Sequence, residues 1–467
     1  MQRACASGAL HDKAFSGFSF FGASLFAAEP GTVEPPDTVY AWRCRQVLQR
    51  MDSTDLLLVA SAGVKHRCGD VDYPYRQDSN MLYLCGWQQP SALLMLSRRG
   101  VNIDGKAMHT ICFCKSQALG SPAYHEPQLA ARCDTMLAMD RFDALFTQAL
   151  SGIRTLYYSP PEPVFIQEPV TAKHFFLDRE VRKALRSRCP GLTIKAAAEP
   201  INRLRQIKSD AEIHLLQKAA DITAAGLREA IKSAEPGMFE YELQAVIEYA
   251  YRRFGAAGPG FPSIIGSGPN SLILHYDDND RRMQAGEMVV MDVGAEYNGY
   301  SADITRTIPV SGVFTEGQRE LYEAVLTMQK ETLAMMQPGV SRRKIEEKAQ
   351  EVCARELMRL GLIKKAEEAK RFLPHGVSHD IGLEVHDVSS REVLEAGMVV
   401  TLEPGLYIPA DDPAIPAKYR SIGIRIEDDV LIVEGGNRVI TSGLVKEVKD
   451  IEKLMKQKGL GNQPLPL

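Results

Sequence analysis

In the first half of the chain, short apolar runs alternate regularly with amphipathic helical patterns of hydrophobic and polar positions. The predicted strands are residues 56–60, 93–96, 110–114 and 155–158, with a last strand inside 189–200, and the predicted helices are residues 38–51, 141–150 and 178–187. Strands that alternate with helices are typical of an α/β domain. We place this domain at residues 36–200, after an N-terminal extension of residues 1–35.

In the second half of the chain, one order of predicted secondary-structure elements occurs twice. Its first helix opens at Ser209, whose hydroxyl can accept one free backbone N–H while the Glu212 carboxylate reaches back to another. The order helix, Pro-Gly, helix, Gly and strands then occurs twice, and the later three helices are predicted at residues 240–254, 321–336 and 342–360. The repeat predicts an α+β domain with a pseudo-twofold internal duplication and a cleft between its halves. We place it at residues 201–456, before a flexible tail at 457–467.

Two acidic residues interrupt apolar strands around a predicted hairpin. Asn298-Gly299 is a strong hairpin signal between the strand that carries Asp292 and the strand over 301–310. With that turn, Asp292 faces Thr305 across the hairpin, and Asp303 is a diagonal neighbour on the same face. The two carboxylates then lie about 7 Å apart at their Cβ atoms, close enough to bind one ion or an adjacent pair of ions.

Two further acids stand in similar settings. Glu403 ends the apolar strand 399–402, and Glu427 shares one face of an alternating strand with Arg425. A buried carboxylate without a partner is unfavourable, and a single acid of this kind is usually exposed or salt-bridged. Four of them in one half of the chain favour a metal cluster.

Histidines supply a second type of ligand. The chain has only ten, yet His375, His379 and His386 fall within twelve residues, with His275 about a hundred residues earlier. The spacing alone does not say which of them binds metal. Four carboxylates and one imidazole form a hard, oxygen-rich donor set that suits manganese first, with cobalt, zinc or iron as alternatives.

Composition narrows the class of protein. The 467 residues carry a formal net charge of -4, which gives no reason to expect nucleic acid or an anionic membrane as a partner. No stretch reaches the ~18–20 apolar residues of a membrane helix, and the nine cysteines lack framework spacing and are interpreted as reduced thiols. We expect a cytoplasmic protein, with export or organelle targeting through residues 1–28 as the alternative.

Five stretches of the second half carry a specific resemblance. Residues 290–294, 299–307, 375–387, 403–407 and 423–429 read VMDVG, GYSADITRT, HGVSHDIGLEVHD, EPGLY and GIRIEDD. This pattern resembles the pita-bread metallopeptidases, and within them the aminopeptidase P (Xaa-Pro aminopeptidase) family. Residues 72–80 and 83–87 are similar to the N-terminal domain of that family, so the resemblance covers nearly the whole chain beyond residue 35.

The resemblance implies roles for individual residues. Two divalent metal ions would be bound by Asp292, Asp303, His379, Glu403 and Glu427, with Asp303 and Glu427 bridging both ions. His275, His375 and His386 match the substrate and transition-state histidines of the family. Arg425 would support the ligands, and Glu403 would also serve as general base and then acid.

The function that the resemblance implies is release of the first residue from peptides with proline in second position, by a hydroxide held on two metal ions. The protein would be a homodimer or homotetramer, and the N-terminal domain of the same or a neighbouring subunit would limit the cleft. The nearest alternative is a prolidase, which acts on Xaa-Pro dipeptides, and a more distant one is an inactive pita-bread module that binds peptides or proteins. Pro374 and Asp380 depart from the family pattern, and Asp380 is expected to alter the pocket beside His379.

Overall fold

A computed structural model describes residues 37–115, 132–160, 165–168 and 173–463. The predicted extension at residues 1–35, with its targeting alternative, lies outside these ranges, as do residues 464–467 of the tail. Across the described ranges, no helix combines the length and apolar character needed to cross a membrane.

The first half of the chain forms helices and strands in alternation. The helices are α1 (Asp37–Arg50), α2 (Ser79–Cys85), α3 (Phe142–Leu150), α4 (Leu177–Arg188) and α5 (Glu199–Gln206). The strands are β1 (Asp55–Ala60), β2 (His66–Cys68), β3 (Val71–Asp72), β4 (Leu93–Ile103), β5 (Lys106–Cys114), β6 (Thr135–Ala138), β7 (Thr155–Tyr158), β8 (Phe165–Glu168), β9 (Lys173–Phe176) and β10 (Thr193–Lys195).

Six of these strands form one mixed sheet in the order β10-β7-β1-β4-β5-β6. Strand β1 pairs in parallel with β7 and antiparallel with β4. Because successive side chains point to opposite faces of a strand, Leu57 and Val59 of β1 enter one apolar core while Leu56 and Leu58 enter another. The uninterrupted apolar runs in the sequence therefore reflect a sheet that is covered on both faces.

Every strand and helix predicted for this half is present, and β4 and β5 are longer than expected. The structure adds elements that the apolar pattern does not reveal, namely α2, α5 and strands β2, β3, β6, β8 and β9. Strands β2 and β3 are exposed along their whole length, and β6 is only partly buried. Strands β2 and β3 carry no continuous apolar run, and this is why the pattern misses them.

The second half contains two helix pairs, each followed by small sheets. Its helices are α6 (Asp210–Ser233), α7 (Glu240–Arg253), α8 (Glu316–Leu333), α9 (Arg342–Arg359) and α10 (Val448–Leu454). Its strands are β11 (Gly258–Pro259), β12 (Ile264–Ser267), β13 (Met288–Val293), β14 (Ala295–Tyr297), β15 (Tyr300–Ser301), β16 (Ile304–Pro309), β17 (Val399–Leu402), β18 (Gly405–Ile408), β19 (Ile422–Arg425), β20 (Asp428–Val433) and β21 (Gly436–Val439). Sheets β12-β13-β16 and β17-β20-β21 follow α6–α7 and α8–α9 respectively, so the predicted duplication is confirmed.

Strand β16 joins the two halves of this domain. The Glu427 backbone N–H donates to the Thr305 carbonyl at 3.1 Å, and the Thr307 hydroxyl both accepts from the Arg425 N–H at 3.0 Å and donates to the Arg425 carbonyl at 2.8 Å. Between the two threonines, Arg306 is completely buried. These bonds bring the acids of the first half against those of the second.

Helix α6 starts as the sequence predicts. Glu212 accepts the Ser209 backbone N–H at 2.9 Å. The same carboxylate pairs with Arg43 of α1 at 3.1 Å and accepts the Tyr300 hydroxyl at 3.0 Å, and both members of the ion pair are buried. Glu212 therefore ties the N-terminal domain to the second domain.

Two expectations for the second half need correction. Helix α8 begins at Glu316 rather than at 321, because Thr315 and Gln318 cap its start; the Thr315 N–H donates to the Gln318 side chain at 2.9 Å. The tail is not loose at residues 459–462: the Gly461 N–H donates to the Ser233 hydroxyl at 2.9 Å, which docks this segment on the end of α6. The domain boundaries at residues 35, 200 and 456 stay predictions.

Replacing Glu212 by alanine should lower the free energy of unfolding by about 3–5 kcal/mol, because it leaves the buried Arg43 guanidinium without its carboxylate. The matched control is Glu242→Ala. Glu242 closes the start of α7 by accepting the Phe239 N–H at 2.6 Å, but it is exposed, so its loss should cost about 1 kcal/mol, as for an ordinary helix cap. Denaturant unfolding followed by circular dichroism compares the two variants. Equal losses would show that the Arg43 pair contributes nothing beyond the cap.

Candidate metal centre and active site

A cavity of about 560 Å³ opens between the two halves of the second domain. All the residues predicted for the site line it: His275, Asp292, Asp303, His375, His379, His386, Glu403, Arg425 and Glu427. The fold therefore collects at one place side chains that the sequence distributes over two structural repeats.

The hairpin that carries Asp292 has the predicted register. Asp292 lies opposite Thr305, and the turn residues Asn298 and Gly299 both have positive φ values, of 49° and 83°. This is the backbone conformation that an Asn-Gly hairpin turn requires. Asp303 consequently lies just before β16, on the same side as Asp292.

The predicted ligands come together as a cluster. Asp303, His379 and Glu427 each offer one ligand atom, and these three atoms lie within 4.8 Å of one another. The His379 Nε2 atom is 3.3 Å from the Glu403 carboxylate and 3.6 Å from the Asp303 carboxylate. Asp292 lies beside them in the cavity and pairs with Arg425 at 2.5 Å.

The donor atoms of the cluster fit divalent cations. Among the described residues, Asp292 Oδ1 and Asp303 Oδ1 are buried and accept no hydrogen bond. The His379 Nδ1 atom is 3.1 Å from the Asp380 carbonyl oxygen, which can only accept, so Nδ1 carries the hydrogen. The lone pair of Nε2 is then free and faces the carboxylates, which is the usual arrangement of a histidine that binds a metal.

Burial makes the cluster electrostatically unfavourable without a cation. Burial and then the Glu427 charge raise the pKa values of Asp303 and Glu403 well above their ordinary values. Burial and then the Asp292 charge raise the pKa of Glu427 to about 8. Burial lowers the pKa of His379 to about 4, so this ring is neutral at physiological pH. A carboxylate cluster that retains protons and a neutral imidazole together suit a site that exchanges protons for metal ions.

Neighbouring polar groups hold the ligands in place. The Thr305 hydroxyl donates to Glu427 at 2.7 Å, and the Thr401 hydroxyl accepts the His379 backbone N–H at 3.1 Å. The Asp303 backbone N–H donates to the buried Asp429 carboxylate at 3.1 Å. Each of these contacts fixes one side of a ligand and leaves its other atoms directed to the cavity.

Tyr407 is a residue of the site that sequence reasoning missed. Its hydroxyl accepts from Arg425 Nη1 at 2.7 Å and lies 3.0 Å from His375 Nε2. Because His375 Nδ1 faces the Gly376 carbonyl at 2.8 Å, Nδ1 carries the hydrogen and Nε2 accepts from Tyr407. Gly405 pairs with Arg425 across β18–β19, so strand alternation puts Tyr407 on the Arg425 face, and this signal was present in the sequence.

The remaining predicted residues have different surroundings. His275 and His386 line the cavity, and the His386 ring lies edge-on to the His379 ring with centroids 4.2 Å apart. Asp380 does not line the cavity. Its buried carboxylate pairs with Arg342 at 2.6 Å and accepts from Gln206 at 3.2 Å, away from the cavity lining.

The N-terminal domain does not limit the cleft from within the same chain, as far as the described residues show. The residues that line the cavity all fall between 261 and 427. Arg76 of the N-terminal domain contacts the outside of the site instead, where it pairs with Glu296 at 3.2 Å and donates to the Gly299 carbonyl at 3.3 Å. A neighbouring subunit is the alternative that stays open.

Comparison with known proteins agrees with this geometry. Residues 214–434 match the metallopeptidase family M24, and residues 40–153 match the aminopeptidase P N-terminal domain. The Xaa-Pro aminopeptidase of Escherichia coli (strain K12) is 36% identical over 88% of this chain and 96% of its own length. The intermediate cleaving peptidase 55, mitochondrial, of Arabidopsis thaliana is 30% identical over 89% of this chain and 82% of its own length.

A solved structure of the aminopeptidase P from E. coli with the inhibitor Pro-Leu aligns with a TM-score of 0.78 and 33% identity, over 91% of this chain and 99% of that chain. The fold and the site define a pita-bread metallopeptidase. The chain belongs to metallopeptidase family M24, and within it to the aminopeptidase P family. It is therefore a metal-dependent aminopeptidase with divalent metal ions as cofactor and peptides as substrates, and the comparisons do not favour the prolidase alternative.

Adding Mn²⁺ to the metal-free protein at pH 7 should release protons, because the cation displaces protons that the raised carboxylate pKa values retain. His379 is already neutral at this pH and releases none. The part of the release that comes from Glu427 should fade as the pH rises past about 8, the pKa of that group. Titration calorimetry in two buffers of different ionisation enthalpy counts the protons.

The Glu427→Gln variant is the control for this titration, since its amide does not ionise in this pH range. It should release fewer protons per bound metal ion than the unsubstituted protein at pH 7. Metal binding without proton release at pH 7 would contradict the account of the carboxylate cluster.

Proposed function

We propose that the chain releases the first residue from peptides whose second residue is proline, with two divalent ions bound by Asp292, Asp303, His379, Glu403 and Glu427. The observation that supports this most directly is the group of four carboxylates and one imidazole, each buried or half-buried, in a cavity of about 560 Å³. Such a cavity is large enough for the start of a peptide. The oxygen-rich donor set favours manganese, with cobalt, zinc or iron as alternatives.

Asp303 and Glu427 are the proposed bridging ligands. Both contribute to the closest group of donor atoms, within 4.8 Å of the His379 ligand atom and of each other. Asp292 and Glu403 flank this group, Asp292 on the Arg425 side and Glu403 on the His379 side. When bound, the ions lower the pKa of a water molecule and polarise the carbonyl of the scissile bond.

Glu403 is the proposed proton carrier. Its carboxylate lines the cavity beside His379, where a water molecule and the scissile bond of a bound peptide would meet. It can take a proton from the attacking water and give it to the leaving nitrogen. His375 Nδ1 lies 3.8 Å from Glu403, so this histidine stands beside the same proton path.

Histidine side chains complete the proposed transition-state contacts. His386 lines the cavity next to His379, and we propose that it donates to the carbonyl oxygen as negative charge develops on that atom. We propose that His275 forms part of the cavity wall that receives the proline ring. Phe261, Pro262 and Leu274 give the same cavity apolar surface.

Proline in second position explains why a dedicated peptidase is needed. The nitrogen of an Xaa-Pro bond has no hydrogen, and the ring fixes φ, so a site that recognises an extended backbone with N–H donors binds it poorly. A rigid apolar wall accepts the ring without needing that N–H.

An aminopeptidase fits the charges of the cavity better than a prolidase. A prolidase needs a cation that captures the free carboxylate of a dipeptide. Among the described residues that line the cavity, Arg425 is the one lysine or arginine, and it is already bonded to Asp292 and Tyr407. This arrangement leaves no arginine or lysine in the described lining for the dipeptide carboxylate.

Two further proposals concern the assembly and the location of the enzyme. We propose a homodimer or homotetramer in which a neighbouring subunit limits the cleft, since the described lining is confined to residues 261–427. We keep the cytoplasm as the proposed location and export or organelle targeting through residues 1–28 as the alternative. Sedimentation velocity tests the first proposal, and fusion of residues 1–35 to a fluorescent reporter tests the location.

Hydrolysis assays test the proposed activity. After chelation and addition of Mn²⁺, the enzyme should release the first residue from Xaa-Pro-Yaa tripeptides and longer peptides, and substitution of the proline by alanine should greatly reduce the rate. Activity confined to Xaa-Pro dipeptides would identify a prolidase. Absence of hydrolysis with every added metal would identify a binding module.

Two substitutions of aspartate by asparagine, one in the cavity and one outside it, form a matched test and control for these assays. Asp303→Asn removes a proposed bridging carboxylate and should lower kcat/KM by more than about 100-fold, since even residues that only support metal ligands are worth about 10–100-fold. Asp278→Asn makes the same change at an exposed acid that is not among the residues lining the cavity. It should change kcat/KM by less than about threefold, since surface substitutions usually have small effects.

A further inference from the structure

The loop that carries His386 is held by buried charges from the segment that links the two domains. Arg205, near the end of α5, forms an ion pair with Asp387, and the Lys208 ammonium lies 3.2 Å from the other Asp387 oxygen. The side chains of Arg205, Asp387 and Lys208 are all no more than 2% exposed. Two buried cationic side chains therefore pair with the one carboxylate next to His386.

Few contacts fix the position of the His386 ring itself. It is exposed to the cavity, and among the described residues it makes a ring contact with His379 but no hydrogen bond. Its position therefore depends on the backbone of its own loop. Asp387, the next residue, is the buried anchor of that backbone.

The anchor also reaches the N-terminal domain. Arg205 Nη1 donates to the Asn80 side chain of α2 at 2.9 Å, while Nη2 faces Asp387 and lies 3.4 Å from Glu384. A planar guanidinium has several fixed N–H donors and can therefore bind Asn80, Glu384 and Asp387 at the same time, whereas an ammonium group does not match this geometry. Arg205 is therefore a fixed connection between the N-terminal domain and the loop of the active site.

Close packing makes this connection stiff. A Cβ atom on Gly382 would lie 2.1 Å from an Asp387 carboxylate oxygen and 3.2 Å from Lys208 Cε. The Asp387 backbone N–H donates to the Asp380 carbonyl at 2.9 Å. The carboxylate therefore sits in a space that its neighbours fill, and it cannot move without moving the loop.

We propose that Arg205 is a positioning residue that acts through Asp387 to fix His386, with Lys208 as a second anchor. This inference rests on the proposed function, in which His386 contacts the developing negative charge of the transition state. Loss of the anchor then affects the chemical step more than substrate binding. A contact that is only present in the transition state contributes to kcat rather than to KM.

A double-mutant cycle between Arg205 and His386 tests the proposal in the full-length, metal-loaded enzyme. Arg205→Met should lower kcat by about 10–100-fold, the range for residues that orient catalytic groups, with little change in KM or in bound metal. In the His386→Ala background the same substitution should produce no further loss. The substrate is an Xaa-Pro-Yaa tripeptide at saturating Mn²⁺.

A conservative variant and a control variant distinguish a positioning role of Arg205 from a general loss of stability. Arg205→Lys keeps the charge opposite Asp387 and should restore part of kcat; it also serves for the cycle if Arg205→Met does not fold. Arg203→Met makes the same change at an exposed position of the same helix and should leave kcat unchanged.

The outcomes distinguish the inference from the function on which it rests. If Arg205→Met or Arg205→Lys lowers kcat by the same factor with and without His386, the residue acts through general stability and the inference is overturned. If His386→Ala alone leaves kcat unchanged, the proposed role of His386 fails first, and the inference falls with it.

Discussion

Repulsion among buried carboxylates is the constraint on which the second domain depends. Asp303, Glu403 and Glu427 lie in one cavity where burial and mutual charge raise their pKa values. Such a group is unfavourable unless cations or protons compensate it. The surrounding structure must therefore hold the carboxylates together against their repulsion until a cation binds.

Buried contacts of β16 supply much of this support. Arg306 is completely buried, pairs with Asp428 at 2.8 Å and donates to the backbone carbonyl of Glu427. Together with the bonds of Thr305 and Thr307, it fastens the first structural repeat to the second. Each repeat supplies some of the proposed metal ligands. The contacts of β16 between the repeats bring these ligands together.

The N-terminal domain contributes to the site from outside the cavity. Its residues contact the second domain and the linking segment through Arg43, Arg76 and Asn80, which bind Glu212, Glu296 and Arg205. These contacts are polar and partly or fully buried, and none of the three N-terminal residues is among those lining the cavity. Within one chain, the described contacts of this domain therefore support the loops rather than shape the substrate cavity.

Local signals predicted the parts of the site that depend on local geometry. The Asn298-Gly299 turn and strand alternation were enough to place Asp292 opposite Thr305, whereas the resemblance to a known family selected the ligand set and the histidines that meet in the cavity. Contacts between distant segments were not predictable in this way. Asp380 was expected at the pocket, but Arg342 and Gln206 hold it elsewhere, and no spacing rule reveals those partners.

The docked tail was also missed, because its polar and glycine-rich residues resemble a loose end until Ser233 offers hydrogen bonds to them. Tyr407 is a different case. The alternation along β18 and β19 was readable, but a tyrosine in an apolar strand is expected as core unless its hydroxyl partners are known.

Anomalous diffraction from crystals grown with Mn²⁺ tests the central claim most directly. The account predicts two anomalous peaks in the cavity, both within coordination distance of Asp303 and Glu427, with His379 binding one of them. A single peak, or peaks that do not share these two carboxylates, would contradict the proposal that the buried acids form one dinuclear metal centre.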